Sequence, residues 1–169
     1  MKNSDKILFA IVAGVIVLVV VAFVVAFTRP EPTYQSEDSP EGITHNYLLA
    51  LQQKDYERAY RYLSPDLRHY PPDIDKFMAD VQSQDYNFRF DQNSVTLEIV
   101  SSEVNGNTAT VDVRETRFYQ GDLFNSGESS YIFKIRLRRD SSADTWKIFE
   151  SEAYWVYCWS DTSTDTFCN

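Results

Sequence analysis

The chain begins with one uninterrupted apolar segment, residues 7–27, in which Gly14 is the only residue outside the apolar set and no residue is charged. As an α-helix rising about 1.5 Å per residue, this segment would be about 31 Å long, which matches the hydrocarbon core of a bilayer. The pattern predicts a transmembrane helix at 7–27 after a short cytoplasmic N-terminus, residues 1–6. A signal peptide is the alternative, but its apolar region is normally about 7 to 15 residues long and ends in a small-residue cleavage site.

The basic residues on the two sides of this segment predict its orientation. Lys2 and Lys6 precede it, and Arg29 is the one basic residue close behind it. An excess of Lys and Arg on the cytoplasmic side favours a cytoplasmic N-terminus, so we expect a single-pass protein of the cell membrane with an extracytoplasmic C-terminal domain. Residues 28–39 contain two prolines and several acidic residues, which predicts an extended linker that holds the domain clear of the bilayer.

Apolar positions at helical spacing return after this linker and predict three short helices. Ser39 precedes a proline and an acidic residue, which is typical of a helix start. Asp55 is expected to cap a second helix that ends at Ser64-Pro65, and a third helix follows the Pro71-Pro72 pair. From about residue 86 the pattern changes to alternation with β-branched residues, which predicts strands near 94–104, 108–118, 129–139 and 145–158. Helices followed by an antiparallel meander indicate an α+β fold.

The first predicted hairpin is restricted by its strand register. A slip of one residue would turn the apolar set of a strand to the wrong face of the sheet. A three-residue loop around Gly106 places Ile99 opposite Val113 or Val111, whereas a strict two-residue loop would set Leu97 against an arginine. We therefore expect a loop of odd length.

The later strands determine where three glutamates lie. The second hairpin is expected to place Glu115 opposite Tyr131. If the last strand keeps its phase, Glu150 and Glu152 share the concave face of the sheet with Glu115. The alternative is a bulge in the last strand, which would turn both late glutamates to solvent.

Four segments carry a resemblance to a known family: Tyr47-Leu48-Leu49-Ala50-Leu51, Lys54-Asp55-Tyr56-Glu57-Arg58-Ala59-Tyr60, Leu63-Ser64-Pro65 and Trp146-Lys147-Ile148. In these segments the chain resembles the nuclear transport factor 2-like superfamily, in particular its small exported, membrane-anchored bacterial members and the lumazine-binding-like branch. The resemblance implies a cone-shaped domain at 40–159, with three short helices packed on a bent antiparallel sheet of four or more strands. It says little about function, because the superfamily contains isomerases, dehydratases, cyclases, toxin-immunity proteins and non-catalytic modules.

A cone of this kind has an open end, where acidic and aromatic side chains would form a pocket for a cationic or hydroxyl-bearing ligand. The candidate ligand-binding residues are Glu115, Tyr131, Glu150, Glu152 and Tyr154. A non-catalytic ligand-binding, protein-binding or assembly module of the cell envelope is the favoured function. The alternative is a small isomerase or dehydratase that uses Glu115 or Glu150 as its base and Tyr131 as a hydrogen-bond donor. A simple pairing of Arg117 with Glu115 would require no catalytic role.

Charge and motifs exclude several other functions. From Arg29 onward the chain has 14 Lys and Arg against 24 Asp and Glu, a formal charge of 14 − 24 = −10, which repels nucleic acid. The sequence also lacks metal-ligand spacing, a nucleophile elbow and a glycine-rich phosphate loop. We therefore expect no nucleic-acid partner, no metal and no cofactor.

The C-terminal region combines a dense aromatic run with the only two cysteines. On a strand with large rings on both faces, Trp155, Tyr157 and Trp159 would offer a surface to a second copy of the chain or to another envelope protein. The alternative is that the tail, residues 160–169, folds back over Trp159. Cys158 and Cys168 are expected to form a disulfide that tethers this tail, because disulfides persist outside the cytoplasm. Two free thiols are the other possibility.

Overall fold

The structure, a computed structural model, describes residues 3–27, 32–90, 94–119, 127–140 and 144–159. The chain forms two compact units that divide between Thr33 and Tyr34. The first unit contains helix α1, Asn3–Phe27. Its segment Lys6–Val24 is long and apolar enough to cross a membrane, a property that export signals share. Length and composition therefore agree with the predicted span.

The second unit contains three helices and four strands. The helices are α2 (Pro40–Gln53), α3 (Tyr56–Arg61) and α4 (Ile74–Ser83). The strands are β1 (Val95–Asn105), β2 (Thr108–Tyr119), β3 (Gly127–Asp140) and β4 (Thr145–Ser151), and short 3₁₀ helices occupy Asp85–Phe88 and Tyr157–Trp159. The strands pair in chain order as an antiparallel meander. The domain is thus the α+β fold of three helices and a four-stranded sheet that the sequence predicted.

Each of the three helices begins at a side-chain cap. The Ser39 hydroxyl accepts a hydrogen bond from the Gly42 amide at 3.1 Å, and the Asp55 carboxylate accepts one from the Arg58 amide at 3.2 Å. Asp73 caps α4 in the same way. These bonds satisfy amides that have no partner in the first turn of a helix. The predicted helix starts are confirmed, although α3 ends at Arg61, before the predicted stop at Ser64-Pro65.

The first hairpin corrects one detail of the prediction. Ile99 does lie opposite Val113, but Asn105 pairs with Thr108 across a two-residue loop. The register instead shifts between Ile99 and Ser101, where β1 carries one extra residue. The expected loop of odd length was therefore wrong. The extra residue lies within the strand, where a bulge also increases the bend of the sheet.

Of the two remaining predictions about the sheet, one is confirmed and one is corrected. Glu115 pairs with Tyr131, as expected. The last strand, however, ends at Ser151 rather than near 158, and its register shifts opposite Arg136 and Leu137. The chain then leaves the sheet. This bulge is the alternative that the sequence left open, and it reverses the phase of the residues that follow.

The core lies between α2 and the inner face of the sheet. Tyr47 on α2 is fully buried, as are Val111 and Val113 of β2 and Ile135 of β3. Most of α2 is buried, because it packs between the sheet and the C-terminal segment.

The domain begins six residues earlier than the predicted boundary at 40. The side-chain amide of Asn46, which is buried, bonds the backbone of Gln35 in both directions, at 2.7 and 2.9 Å. The Arg58 guanidinium lies 3.6 Å from the centre of the Tyr34 ring. A Cβ atom on Gly42 would overlap the backbone of Ser36, so glycine is needed for this close approach. Residues 34–39 are therefore part of the folded domain and not free linker.

Candidate ligand pocket

Glu115 is the only charged residue that is buried among the residues the structure describes, and it has no solvent exposure. The alternation of β2 places it on the inner face, after Ala109, Val111 and Val113. Burying an ionised carboxylate costs several kcal/mol unless donors replace the lost water. The partners of Glu115 therefore decide what this position can do.

Three donors surround the Glu115 carboxylate. Arg117 lies two residues further along the same face of β2, and its Nε donates to Oε1. The hydroxyl groups of Tyr131 and Tyr154 both donate to Oε2, each at 2.7 Å. Hydrogen bonds to an ionised acceptor are stronger than neutral ones, so this set stabilises the charge in place. The candidates Glu115, Tyr131 and Tyr154 are thus brought together.

Tyr154 reaches Glu115 from the segment that follows β4. Its backbone has φ = 54°, in the left-handed region that side-chain-bearing residues rarely adopt. Its carbonyl accepts a hydrogen bond from the Tyr47 hydroxyl at 2.8 Å, and its ring stacks on Phe90 at 4.3 Å between centroids. These contacts fix the position of the hydroxyl group that donates to Glu115.

The surroundings of these groups determine their protonation. Burial raises the pKa of Tyr154 and of Tyr131, and the hydrogen bond to Glu115 raises each further. Partial burial opposes a rise in the pKa of Arg117, but the negative charge of Glu115 outweighs it. At neutral pH both phenols are therefore protonated and act as donors, and the guanidinium is charged.

A pocket of about 630 Å³ lies above this cluster. The described residues of its lining are rich in aromatic rings and include two arginines and one glutamate: Tyr86, Asn87, Arg89, Arg117, Tyr119, Tyr131, Ser151, Glu152, Ala153, Tyr154, Trp155 and Tyr157. The volume is in the range of sites for small organic ligands. Tyr131 is about half exposed and connects the buried carboxylate with the pocket wall.

The two late glutamates do not join Glu115. Glu150 lies on the outer face of the sheet and pairs with Arg136 at 2.5 Å, away from the pocket. Glu152 is exposed at the pocket wall, where its Oε2 accepts a hydrogen bond from the Lys134 amide at 2.9 Å. The register shift in β4 reversed the phase, so the expected acidic cluster does not form.

The aromatic C-terminal segment is core rather than a partner surface. Trp159 is fully buried and stacks on Phe77 at 5.1 Å. Trp155 is also buried and packs edge-on against Trp159. Of the three partner-surface candidates only Tyr157 is exposed, and it lines the pocket. The prediction for Trp155 and Trp159 was wrong, because the chain leaves the sheet after Ser151 and turns these rings inward.

Part of the pocket was not predicted. Tyr86, Asn87 and Arg89 come from the 3₁₀ helix after α4 and its flank. The only signal in the sequence was a tyrosine followed three residues later by an arginine, in a segment without apolar periodicity. The structure places the Arg89 guanidinium 5.1 Å from the centre of the Tyr86 ring. Both histidines lie elsewhere, His45 on α2 and His69 at a separate groove of about 370 Å³.

Two further expectations concern metals and the disulfide. Within the described ranges, no group of His, Cys, Asp or Glu has an arrangement that could hold a metal ion. Cys158 lies in the 3₁₀ helix Tyr157–Trp159. Its predicted partner Cys168 lies outside the described residues, so the disulfide stays a prediction.

Comparison with known proteins gives matches at the level of structure. No family model and no curated protein sequence matches the chain. One similar solved structure is a SEC-C motif containing protein from Rhodopseudomonas palustris, with 20% identity, a TM-score of 0.47, and coverage of 70% of this chain and 81% of that one. Another is a nuclear transport factor 2-like protein with a cystatin-like fold from Novosphingobium aromaticivorans, with 14% identity, a TM-score of 0.44, and coverage of 66% and 75%.

Proposed function

We propose that the chain is a single-pass membrane protein of the cell envelope, whose extracytoplasmic domain binds a small ligand in the pocket above Glu115 without catalysing a reaction. The observation that carries this proposal is the set of three donors on Glu115. A carboxylate that acts as a base must bring a free oxygen to within hydrogen-bond distance of the substrate. Here both oxygens already accept hydrogen bonds, and the side chain has no exposed surface.

The cluster is suited to holding its neighbours in place. Glu115 orients the Arg117 guanidinium and directs the hydroxyl hydrogens of Tyr131 and Tyr154 inward. A wall whose side chains are fixed before binding loses little conformational entropy when a ligand arrives. This property serves a binding site directly and requires no proton transfer.

Native mass spectrometry of the full chain, purified from membranes in detergent, tests the binding function. We expect a co-purified small molecule on the wild type and on Arg114→Met, and its loss from Arg117→Met. The two arginines lie on opposite faces of β2, so Arg114 is a matched control for charge and strand position. A ligand retained equally by both variants would contradict the proposal, as would a wild type free of ligand and unresponsive to a metabolite library.

The membrane anchor is supported by the length of α1 and by the basic residues before it. Val17→Arg places a charge near the centre of the helix and opposes insertion by about 3 kcal/mol. We expect the wild type in the alkaline-washed membrane fraction at its full mass, with its domain accessible to protease from outside, and loss of Val17→Arg from that fraction. A wild-type chain shortened behind α1 would instead identify a cleaved export signal.

An isomerase or dehydratase is the second candidate, because a buried carboxylate with tyrosine hydroxyls in hydrogen-bond reach lies beside a pocket of ligand size. Such an enzyme would start by taking a proton from the carbon next to a carbonyl. Deuterium exchange into cyclohexanone in heavy water, followed by NMR, tests this step. The binding proposal predicts exchange no faster than in buffer. Exchange that the wild type accelerates and Glu115→Gln abolishes would establish the enzyme instead.

A further inference from the structure

We infer that the pocket takes an organic carboxylate with a flat ring, in which the carboxylate pairs with Arg117 and the ring lies on the tyrosine walls. This inference rests on the proposed binding function and names its ligand class. It departs from the cationic or hydroxyl-bearing ligand that the sequence suggested.

The unused donors of Arg117 are the first observation. A guanidinium has five N–H groups in a planar fork, and Arg117 uses the one on Nε for Glu115. Among the residues the structure describes, no acceptor bonds its two terminal nitrogens, although about a third of the side chain is exposed and it lines the pocket. A carboxylate matches the two parallel donors that this fork presents.

The acceptors available to a cation are the second observation. The Glu115 side chain has no solvent exposure and both oxygens accept hydrogen bonds from protein groups, so an ammonium group in the pocket could reach it only by displacing one of these donors. Among the residues that the structure describes, Glu152 is the only acidic one that lines the pocket, and one of its oxygens is occupied by the Lys134 amide. A cation would also meet Arg117 and Arg89, which disfavour it.

The aromatic wall is the third observation. Four tyrosines that line the pocket have exposed rings: Tyr86, Tyr119, Tyr131 and Tyr157. The exposed rings offer flat apolar surface to a ring-bearing ligand, and the Tyr131 hydroxyl stays bonded to Glu115. The outer face of the sheet differs, because its ion pairs are exposed and already formed. The recognition elements are therefore concentrated at the pocket.

Three probes with the same ring test the ligand class: phenylacetate, 2-phenylethanol and phenethylammonium. Each is titrated into the full chain in detergent micelles, with tryptophan fluorescence and tyrosine ring NMR as readouts, since Trp155 lines the pocket. We expect saturable binding of phenylacetate by the wild type and by Arg114→Met. In Arg117→Met, loss of a bidentate charged pair should weaken phenylacetate binding about tenfold or more. Arg117→Lys, which keeps the charge without the fork, should give an intermediate loss.

The outcomes separate this inference from the function on which it rests. Alcohol or ammonium probes that bind as tightly as phenylacetate would overturn the ligand class and leave the binding function standing. Equal phenylacetate binding by Arg117→Met and the wild type would also overturn it. Failure of all three probes refutes the inference, and the ligand found by native mass spectrometry then decides the proposed function independently. Far-ultraviolet circular dichroism confirms that each variant is folded.

Discussion

The two faces of β2 carry similar ionic chemistry in very different surroundings. On the inner face Glu115 is fully buried and pairs with Arg117, whose side chain is about one third exposed. On the outer face Arg114 pairs with Glu98 and Asp112 pairs with Lys134, and all four side chains are in contact with solvent. Exposed pairs of this kind contribute about 0 to 1 kcal/mol, whereas a broken buried pair costs far more. The outer pairs therefore add little to stability, whereas the inner carboxylate depends on the donors that surround it.

The largest effect on stability is expected in the 3₁₀ helix Tyr157–Trp159, where one ring is buried and another is exposed. Trp159 points into the core and Tyr157 points out of it. Truncation of a buried large ring costs about 4 kcal/mol, so Trp159→Ala should lower the free energy of unfolding by about that amount. Tyr157→Ala should change it by less than about 0.5 kcal/mol. Urea unfolding of the full chain in micelles measures both. Similar effects from the two variants would show that Trp159 is not a core residue.

The inner and outer ion pairs of β2 can be compared directly. Glu115→Ala leaves Arg117 without its carboxylate and two tyrosine hydroxyls without their acceptor, so we expect a loss of about 3 kcal/mol. Glu98→Ala removes one exposed partner of Arg114 and should cost about 0.5 kcal/mol. Thermal unfolding followed by circular dichroism ranks the two. Equal losses of stability in the two variants would contradict the expected difference between the inner and outer ion pairs.

A smaller effect appears at alkaline pH. The pKa values of Tyr131 and Tyr154 are raised by burial and by Glu115, while an unfolded tyrosine titrates near pH 10. Their protonated forms therefore add stability that is fully present below about pH 10 and is lost as the pH rises through their folded values. We expect Tyr131→Phe to cost about 1 kcal/mol at pH 7 and to make the alkaline decline shallower.

Unfolding measured from pH 8 to 12, with Arg114→Met as the control, tests this pH dependence. The control should follow the wild-type profile. A decline of unchanged steepness in Tyr131→Phe would show that this hydroxyl does not contribute.

The smallest effect is expected on the outer face. Arg114→Met should change stability by less than about 0.5 kcal/mol, and 0.5 M salt should reduce the difference further, since exposed charges are screened. The free energy of unfolding of the wild type and of Arg114→Met, measured at two salt concentrations, tests this expectation. A large, salt-insensitive loss would mean that the outer pairs resemble the inner one.

Local rules predicted much of this fold. The caps at Ser39 and Asp55 depend on a side chain and the next few amides, so the sequence alone was sufficient for them. The pairing of Glu115 with Tyr131 followed from the alternation of apolar residues on two strands. The site was predicted to the extent that it depends on that pairing.

The features that were missed depend on long-range packing. The bulge in β1 was not predicted, because its position carries no distinctive sequence signal, whereas the register shift in β4 was an alternative that the sequence left open. Residues 152–158 were assigned to the last strand, which was predicted near 145–158 from alternation and β-branched residues. Their inward turn depends on contacts with α4, such as the hydrogen bond from the Trp159 indole to Asp80.

Tyr154 also determines when the pocket can form. Its hydroxyl group joins Glu115 across 39 residues of sequence, and its carbonyl joins Tyr47 across 107. Such distant contacts form late, because the chain must first close large loops. During synthesis, Glu115 is made well before Tyr154, which is one of its three hydrogen-bond donors. The hydrogen-bonded floor of the pocket is therefore complete only when the whole domain has been made, and a chain that ends before Tyr154 would lack one of the three donors to Glu115.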